Sequence, residues 1–379
     1  MPPLLAGRDA ERARAVDLLI RTEHFASPGR SPLILTGVRG VGKTVTLRAI
    51  ADDATRRGFV AAHITVDRRG PLAERIAAAV AEQVSQTDGI KPSGSQWRRW
   101  RELLGRLSVE VSVAGVVKIA RPSPSTGTAV PQSDQDALIG LLANSSRLLR
   151  EHQRPGLLLT LDELQEAPET DLAALAAAMQ DLPDAPLVVI CAGLPHTPDR
   201  LMAAGSFSER FQYQVLGPLD QVDANAALLV PATARGVGWD HDAADLILSN
   251  AAGAPYLIQL YGDAAWRHAN PPPRGRVRLE HAKAGIRTAT TELHSGLFRG
   301  RWNRASALEQ QYLSAIAACL GPDGTAETHA VSARLSRTPA QLSYLRSRLL
   351  DKGLITAAGR GKVGFTLPGF DAFVAEQNR

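Results

Sequence analysis

Residues 37–44 read Gly37-Val38-Arg39-Gly40-Val41-Gly42-Lys43-Thr44, the pattern G-x-x-x-x-G-K-S/T. Each position has a physical task. The glycines let the backbone wrap closely about an anion, so that its N–H groups point inward at phosphate oxygens. In this pattern Lys43 reaches the β- and γ-phosphates and the Thr44 hydroxyl ligates Mg²⁺. The flanks agree. Leu33-Ile34-Leu35-Thr36 is a short apolar run of strand type, and Val45 to Ala54 continues as a helix. A strand feeding a loop and then a helix N-terminus aims the helix dipole at the phosphates. The segment therefore predicts that Gly37 through Val45 bind ATP or ADP with Mg²⁺. The alternative is a glycine-rich turn that binds nothing.

A second constellation lies downstream. Leu157-Leu158-Leu159-Thr160-Leu161 is an apolar strand that ends in Asp162-Glu163. Neighbouring residues on a strand point to opposite sides, which predicts Asp162 facing the metal and Glu163 facing an attacking water. Mg²⁺ takes oxygen ligands and keeps several waters, so Asp162 acts directly or through one. Glu163 would orient and polarise the water. The competing reading is a helix-capping Asp162 beside a solvated Glu163.

The chain has 379 residues, which predicts two or three domains. With 44% hydrophobic and 21% charged residues it can bury a core, and its apolar content rests on Ala and Leu, which favours helices. The net charge of +5 is mildly basic and consistent with an anionic partner. Cys191 and Cys319 both lie in apolar runs without metal-type spacing, and read as buried free thiols in a reducing cytoplasm. No apolar stretch is long enough to span a membrane. The opening Met1-Pro2-Pro3-Leu4-Leu5 lacks the basic start and apolar middle of a signal peptide. A cytoplasmic location without membrane contact is expected.

Helices are predicted over 9–21, from Gly70-Pro71 to about Val84, and over 97–107, 137–151 and 172–179. Strands are predicted at 59–66, 187–191 and 211–215, with a loose hairpin around Gly115. Residues 86–96 read as a loop and 121–133 as a flexible linker. Apolar strands alternating with helices imply an α/β fold with a parallel sheet covered on both faces. Residues 222–298 show only helical signals, over about 223–233, 242–251, 255–269 and 279–298. The expected domains are 1–219 (α/β), 220–300 (a helical lid) and 301–379.

The last domain begins with a helix over 307–320 and a second over 325–335. Thr338-Pro339-Ala340-Gln341 is a capping box that opens a third helix. Leu342, Leu345 and Leu349 face its core, while Gln341, Ser343, Tyr344, Ser347 and Arg348 face outward. Two short strands, 354–356 and 363–367, are joined by a turn carrying Arg360 and Lys362.

Together these features resemble AAA+ ATPases: the phosphate loop (Walker A), the Asp162-Glu163 strand (Walker B), the helical segment and a terminal winged helix-turn-helix. The resemblance is closest to the branch of origin-recognition and Cdc6-type initiators, with the STAND and archaeal-type ATPases beside it. The opening Gly7-Arg8-Asp9-Ala10-Glu11 is similar to the G-R-D/E-x-E start of that group, which lies by the adenine base and implicates Arg8. The family places a polar γ-phosphate sensor after the fourth strand. Val189-Ile190-Cys191-Ala192-Gly193 offers none, leaving His196 or Thr197 as substitutes or a plain loop. Ser208-Glu209-Arg210-Phe211 stands where members carry an arginine finger for a neighbouring subunit; Arg210 is that finger or a surface ion pair. Many members carry a phosphate-sensing Arg where this chain has Pro255. Gly253-Ala254-Pro255-Tyr256 looks like the G-x-P motif of STAND ATPases, and is equally ordinary helix capping.

In DNA-binding winged helices the third helix enters the major groove and the wing touches backbone or minor groove. The resemblance implicates Gln341, Ser343, Tyr344 and Arg348 in the groove and Arg360 and Lys362 on phosphates; a protein-interaction role is open. Arg98, Arg99 and Arg101 beside Trp97 and Trp100 are a second anionic contact or the solvated face of a helix with buried tryptophans. The resulting expectation is an ATP-hydrolysing switch that binds double-stranded DNA and self-assembles. The alternatives are a STAND-like signalling switch whose winged helix packs on its own ATPase domain, and a nucleotide-bound module with little turnover.

Overall fold

A strand that is apolar at every position needs cover on both faces, and two such runs set the architecture. The computed structural model describes residues 3–27, 32–87, 90, 94–111, 117–119, 131–182 and 184–377. They divide into two compact units, one of residues 9–36 and 43–215, the other of residues 1–8, 37–42 and 216–379.

The first, the sheet unit, runs α1 (Asp9–Phe25), β1 (Leu33–Thr36), α2 (Lys43–Arg56), β2 (Val60–Thr65), α3 (Leu72–Ser85), α4 (Gly94–Arg106), β3 (Val109–Val111), β4 (Val117–Ile119), α5 (Pro131–Glu151), β5 (Leu157–Asp162), α6 (Glu169–Asp181), β6 (Leu187–Gly193), α7 (Thr197–Ala204) and β7 (Gln212–Val215). Its five-stranded sheet has the order β2-β5-β6-β1-β7, and every pairing is parallel. All positions of β1, β5 and β6 are buried. Truncating a leucine such as Leu159 or Leu161, both 0% exposed, to alanine would cost about 2–5 kcal/mol.

Several expectations shift here. β3 and β4 form the expected antiparallel hairpin, with Glu110 opposite Lys118, though its turn at Gly115 lies outside the described residues. So do residues 121–130 of the expected linker, while 131–133 already belong to α5. Pro71 precedes α3 as its N-cap. Trp100 is fully buried and donates from its indole nitrogen to Ser145 Oγ at 2.8 Å, with Trp97 stacked on it at 4.6 Å. Arg98, Arg99 and Arg101 are exposed, the solvated face that the second reading predicts. Cys191 is buried, its thiol pushed up to about 12 by burial, whereas Cys319 is half-buried; both are free.

The second, the helical unit, runs α8 (Gln221–Thr233), β8 (Gly238–Trp239), α9 (His241–Ala251), α10 (Pro255–Ala269), β9 (Arg276–Val277), α11 (Leu279–Leu293), a wide turn over 294–298, α12 (Arg299–Asn303), α13 (Ala307–Ala318), β10 (Thr325–Glu327), α14 (Thr328–Arg334), α15 (Pro339–Asp351), β11 (Ile355–Ala357), β12 (Lys362–Phe365) and α16 (Phe370–Glu376). The segment read as purely helical contains the short parallel pair β8 and β9, too brief to leave a periodic signal. Residues 325–327 are not helical, as expected, but extended, because they pair with β12 in a three-stranded sheet ordered β10-β12-β11. The capping box at Thr338 forms: its amide donates to Gln341 Oε1 at 2.9 Å and its hydroxyl accepts from the Gln341 amide at 3.4 Å. Among the described residues no helix is long and apolar enough to cross a membrane.

An ion-pair cluster fixes α13 to α15. Glu309 is fully buried, closes a capping box with Ser306, accepts from Lys352 Nζ at 2.6 Å and pairs with Arg348 at 3.1 Å. Burial alone would push its carboxyl up, but hydrogen bonds from Lys352 and Ser306 outweigh that and hold it below the usual glutamate value. The contribution is therefore complete above about pH 4.3, the ordinary glutamate value, and fades as the pH falls through the lower folded one. Glu309→Gln is expected to destabilise the protein by about 1–3 kcal/mol at pH 7, with the gap closing near pH 3. Thermal melts at both pH values check this; an equal gap at each would refute it.

Candidate functional site

In a parallel sheet all strands end at one edge, and ligands gather outside those carboxyl ends. β1 leaves the sheet there into residues 37–42, and α2 starts at Lys43. β5 ends at the same edge with Asp162, with β6 lying between the two strands. The Thr44 hydroxyl donates to Asp162 Oδ2 at 2.5 Å. Asp162 is 2% exposed, and its other oxygen accepts from the Glu163 amide at 2.9 Å. A hydroxyl and a carboxylate held together are the hard oxygen donors that Mg²⁺ selects, and Mg²⁺ completes its shell with waters and substrate phosphates. No group of three or more His, Cys, Asp or Glu forms a closed metal cage among the described residues, so the donor set fits a metal delivered with a nucleotide. Lys43, at the first position of α2, is buried.

Glu163 departs from simple strand alternation. Its φ of 55° and ψ of 40° put it in the left-handed region, which costs a non-glycine residue about 1–2 kcal/mol. Strain of this kind clusters at functional sites. The kink turns Glu163 out of the strand and onto Gln165, whose amide nitrogen donates to the Glu163 carboxylate. Gln165 is itself buried, and its Oε1 accepts from the Leu194 amide, just past β6, at 3.0 Å. Arg200 donates to the backbone oxygens of Gln165 and Ala167. Neither Gln165 nor Arg200 was signalled by the sequence, because the link depends on a turn that strand periodicity does not encode. Of the two substitute sensors, His196 caps α7. Thr197 is fully buried, and its hydroxyl, without a hydrogen-bond partner among the described residues, sits where a Cβ on Gly193 would be only 2.3 Å away.

In the helical unit the loop residues have their own supports. Gly40 has φ +87° and Gly42 φ +97°, and a Cβ on Gly42 would meet nothing within 4 Å, leaving room for an anion. Arg8 is buried and donates to three carbonyls, Gly7 at 2.9 Å, Val41 at 2.9 Å and Gly217 at 2.7 Å. It thus braces the loop backbone. Pro255 opens α10, and the Tyr256 amide donates to Gly40 O at 3.2 Å. A Cβ on Gly253 would stand 2.5 Å from Leu219 O, which requires glycine in that turn. Tyr256 is a loop contact that the sequence reading missed.

Elsewhere the expected contacts are dispersed. Arg210 lies in an exposed turn, its guanidinium 5.4 Å from the Phe207 ring centre. Gln341, Ser343 and Tyr344 are exposed on α15. Arg348 is engaged with Glu309, and Lys362 pairs with Asp323 at 3.1 Å and Glu327 at 3.8 Å, Asp323 raising its ammonium pKa. Among these three cations only Arg360 is exposed with no ion-pair partner among the described residues.

Residues 295–374 match a domain of unknown function (DUF8462). No curated protein matches the sequence. The Walker-type ATPase PABY2304 of Pyrococcus abyssi has a similar fold, with a TM-score of 0.64 at 15% identity over 98% of this chain and 96% of that one. The Aeropyrum pernix Orc1 protein, solved in complex with DNA, gives a TM-score of 0.48 at 19% identity, covering 100% and 94%. The RuvB Holliday junction branch migration motor of Thermotoga maritima gives 0.49 at 14% identity, covering 95% and 92%. Residues 4–190, which carry the phosphate loop and the Asp162-Glu163 strand, match a family model described as an AAA ATPase domain.

Proposed function

We propose that the protein is a slow ATPase whose nucleotide state controls its hold on double-stranded DNA. The observation that carries the ATPase reading is the Thr44 hydroxyl bonded to Asp162 at 2.5 Å with Glu163 next in sequence. In this reading the loop amides and Lys43 hold the phosphate tail. Thr44 and Asp162 would hold Mg²⁺, which would supply charge neutralisation for the phosphates. Glu163 orients the attacking water and takes its proton. The Gln165 amide donates to one oxygen of the Glu163 carboxylate, and a hydrogen bond to a carboxylate favours its charged form over the protonated one, which suits slow turnover. Arg210, exposed in its turn, is available to a neighbouring subunit in a homo-oligomer.

For the DNA role, the helix–strand–helix–helix–strand–strand order of α13, β10, α14, α15, β11 and β12 supports reading this region as a winged helix-turn-helix. Its third helix exposes Gln341, Ser343 and Tyr344, and the wing exposes Arg360. The division into 1–219, 220–300 and 301–379 is retained with it. Free Cys191 and Cys319 suit a cytoplasmic setting.

A specific observation favours the STAND-like alternative as a second reading. A Cβ on Gly40 would lie 3.7 Å from Leu367 Cδ2, so the end of the wing region touches the phosphate loop within the helical unit. With Arg348 and Lys362 in ion pairs, this reading makes the C-terminal region an intramolecular partner.

Lys43→Ala is expected to abolish ATP binding, read by titration with a fluorescent nucleotide; unchanged affinity would remove the site. Glu163→Gln should keep ATP affinity while turnover falls about 100-fold or more, and normal turnover would deny Glu163 its role. Duplex DNA should stimulate hydrolysis and bind with a salt-dependent constant. Arg360→Ala should weaken binding and lower the salt slope by about one. A protein that ignores duplex DNA in both assays belongs to the second reading.

A further inference from the structure

Arg301 lies on α12, in the segment that joins the lid helices to the C-terminal elements, and is 8% exposed. Its Nη1 donates to Thr366 Oγ1 at 3.2 Å, and the Thr366 hydroxyl passes its own proton to Gly353 O at 2.8 Å. Thr366 is therefore fixed as an acceptor and holds the guanidinium in one orientation. Phe298, one turn earlier, anchors the segment, its ring 5.3 Å from Phe370 and 5.7 Å from Phe373.

The charge environment of Arg301 is of the wrong sign for a structural ion pair. No carboxylate pairs with it among the described residues. Burial and the neighbouring cations Arg39 and Arg304 bring its pKa down to about 10, Tyr256 acting weakly the other way. A guanidinium with a pKa of about 10 is still charged at pH 7. A buried charge without a counterion is costly, and a second cation nearby raises the cost. Arg39 is a residue of the phosphate loop. Leu367, next to Thr366, packs against Gly40 of the same loop, and Tyr256 lies against Gly40 from α10. All of these residues belong to the helical unit. Arg301 is thus a buried, oriented guanidinium within charge range of the loop's Arg39, and Thr366 is its one hydrogen-bond acceptor among the described residues.

We propose that Arg301 is a direct ligand of the phosphate tail of the bound nucleotide, contributed by the chain's own C-terminal region beside Arg39. The inference rests on the nucleotide reading above and adds to it the group that reads the phosphates. The anion supplies the missing counter-charge, so nucleotide binding stabilises the seating of α12 and the 366–367 segment on the loop. Loss of the terminal phosphate weakens that seating. The C-terminal elements thereby sense nucleotide state through one side chain.

The test measures ATP, ADP and AMP affinity by fluorescent-nucleotide titration, with thermal melts of the nucleotide-free protein, in the parent, Arg301→Met and Lys43→Ala. Loss of charge-assisted hydrogen bonds to phosphate is expected to weaken ATP binding of Arg301→Met about 10- to 100-fold. AMP affinity stays within threefold, and the nucleotide-free melt rises because the repulsion with Arg39 is gone. ATP affinity within threefold of the parent in a folded Arg301→Met, while Lys43→Ala loses binding, overturns the Arg301 inference and leaves the nucleotide site standing. Failure of the parent to bind ATP overturns both. Should Arg301→Met not fold, Thr366→Val keeps the guanidinium and removes its orienting acceptor; a threefold or larger loss of ATP affinity is expected, and an unchanged value refutes the proposal.

Discussion

The hydrogen bond from the Thr44 hydroxyl to the Asp162 carboxylate, 2.5 Å long, joins residues from distant parts of the sequence and sets conditions on the whole sheet unit. It requires β1 and β5 to run the same way and to end at one edge. In this sheet β6 lies between them, and Thr44, the second residue of α2, reaches across its end to Asp162. The order β2-β5-β6-β1-β7 meets these conditions, and the all-buried strands β1, β5 and β6 make that order hard to change. An apolar strand moved to an edge would leave its ladder groups and one face uncovered. The polar site is thus held in place by an apolar scaffold that has few other ways to assemble.

The helical unit shows two opposite solutions to burying a charge. Glu309 is surrounded by Lys352, Arg348 and the Ser306 amide, so its charge is compensated from within the chain. Arg301 is accompanied by Arg39 and Arg304, and no carboxylate pairs with it among the described residues; the proposed phosphate would supply the counter-charge. Both lie in or beside the region matched by DUF8462, and the contrast separates a structural ion from a receptive one. A stability argument explains Glu309 completely; it does not explain Arg301.

Much of this was legible in the sequence. The loop at 37–44 declares itself because glycine spacing, lysine and threonine each answer a separate requirement of a phosphate. β5 and β6 are legible because they are apolar throughout and bounded by polar residues. The capping box at Thr338 is legible because it is local. What was hidden depended on tertiary pairing. β8 and β9 are two residues each and exist only because they pair with one another. Residues 325–327 became a strand because β12 lies beside them. Glu163 adopts a left-handed backbone that no alternation pattern foretells, and that turn is what brings Gln165 into play. The outward residues of α15 were placed correctly by helical periodicity, yet periodicity gave no sign that Arg348 would be taken up by Glu309.

Gln165 and Arg301 bear on the same question from separate units. A protein built for rapid turnover would keep its general base free and its arginines positioned by carboxylates in the resting state. Here the candidate base is engaged by a buried amide that also accepts from the Leu194 amide beyond β6, so one side chain links Glu163 to the end of β6. Arg301 is buried, oriented by Thr366 and without a paired carboxylate among the described residues. Each arrangement has a resting state that nucleotide or a partner can change, and each change is local and polar. Under the proposed function, that pattern is the one a switch holding its nucleotide would need.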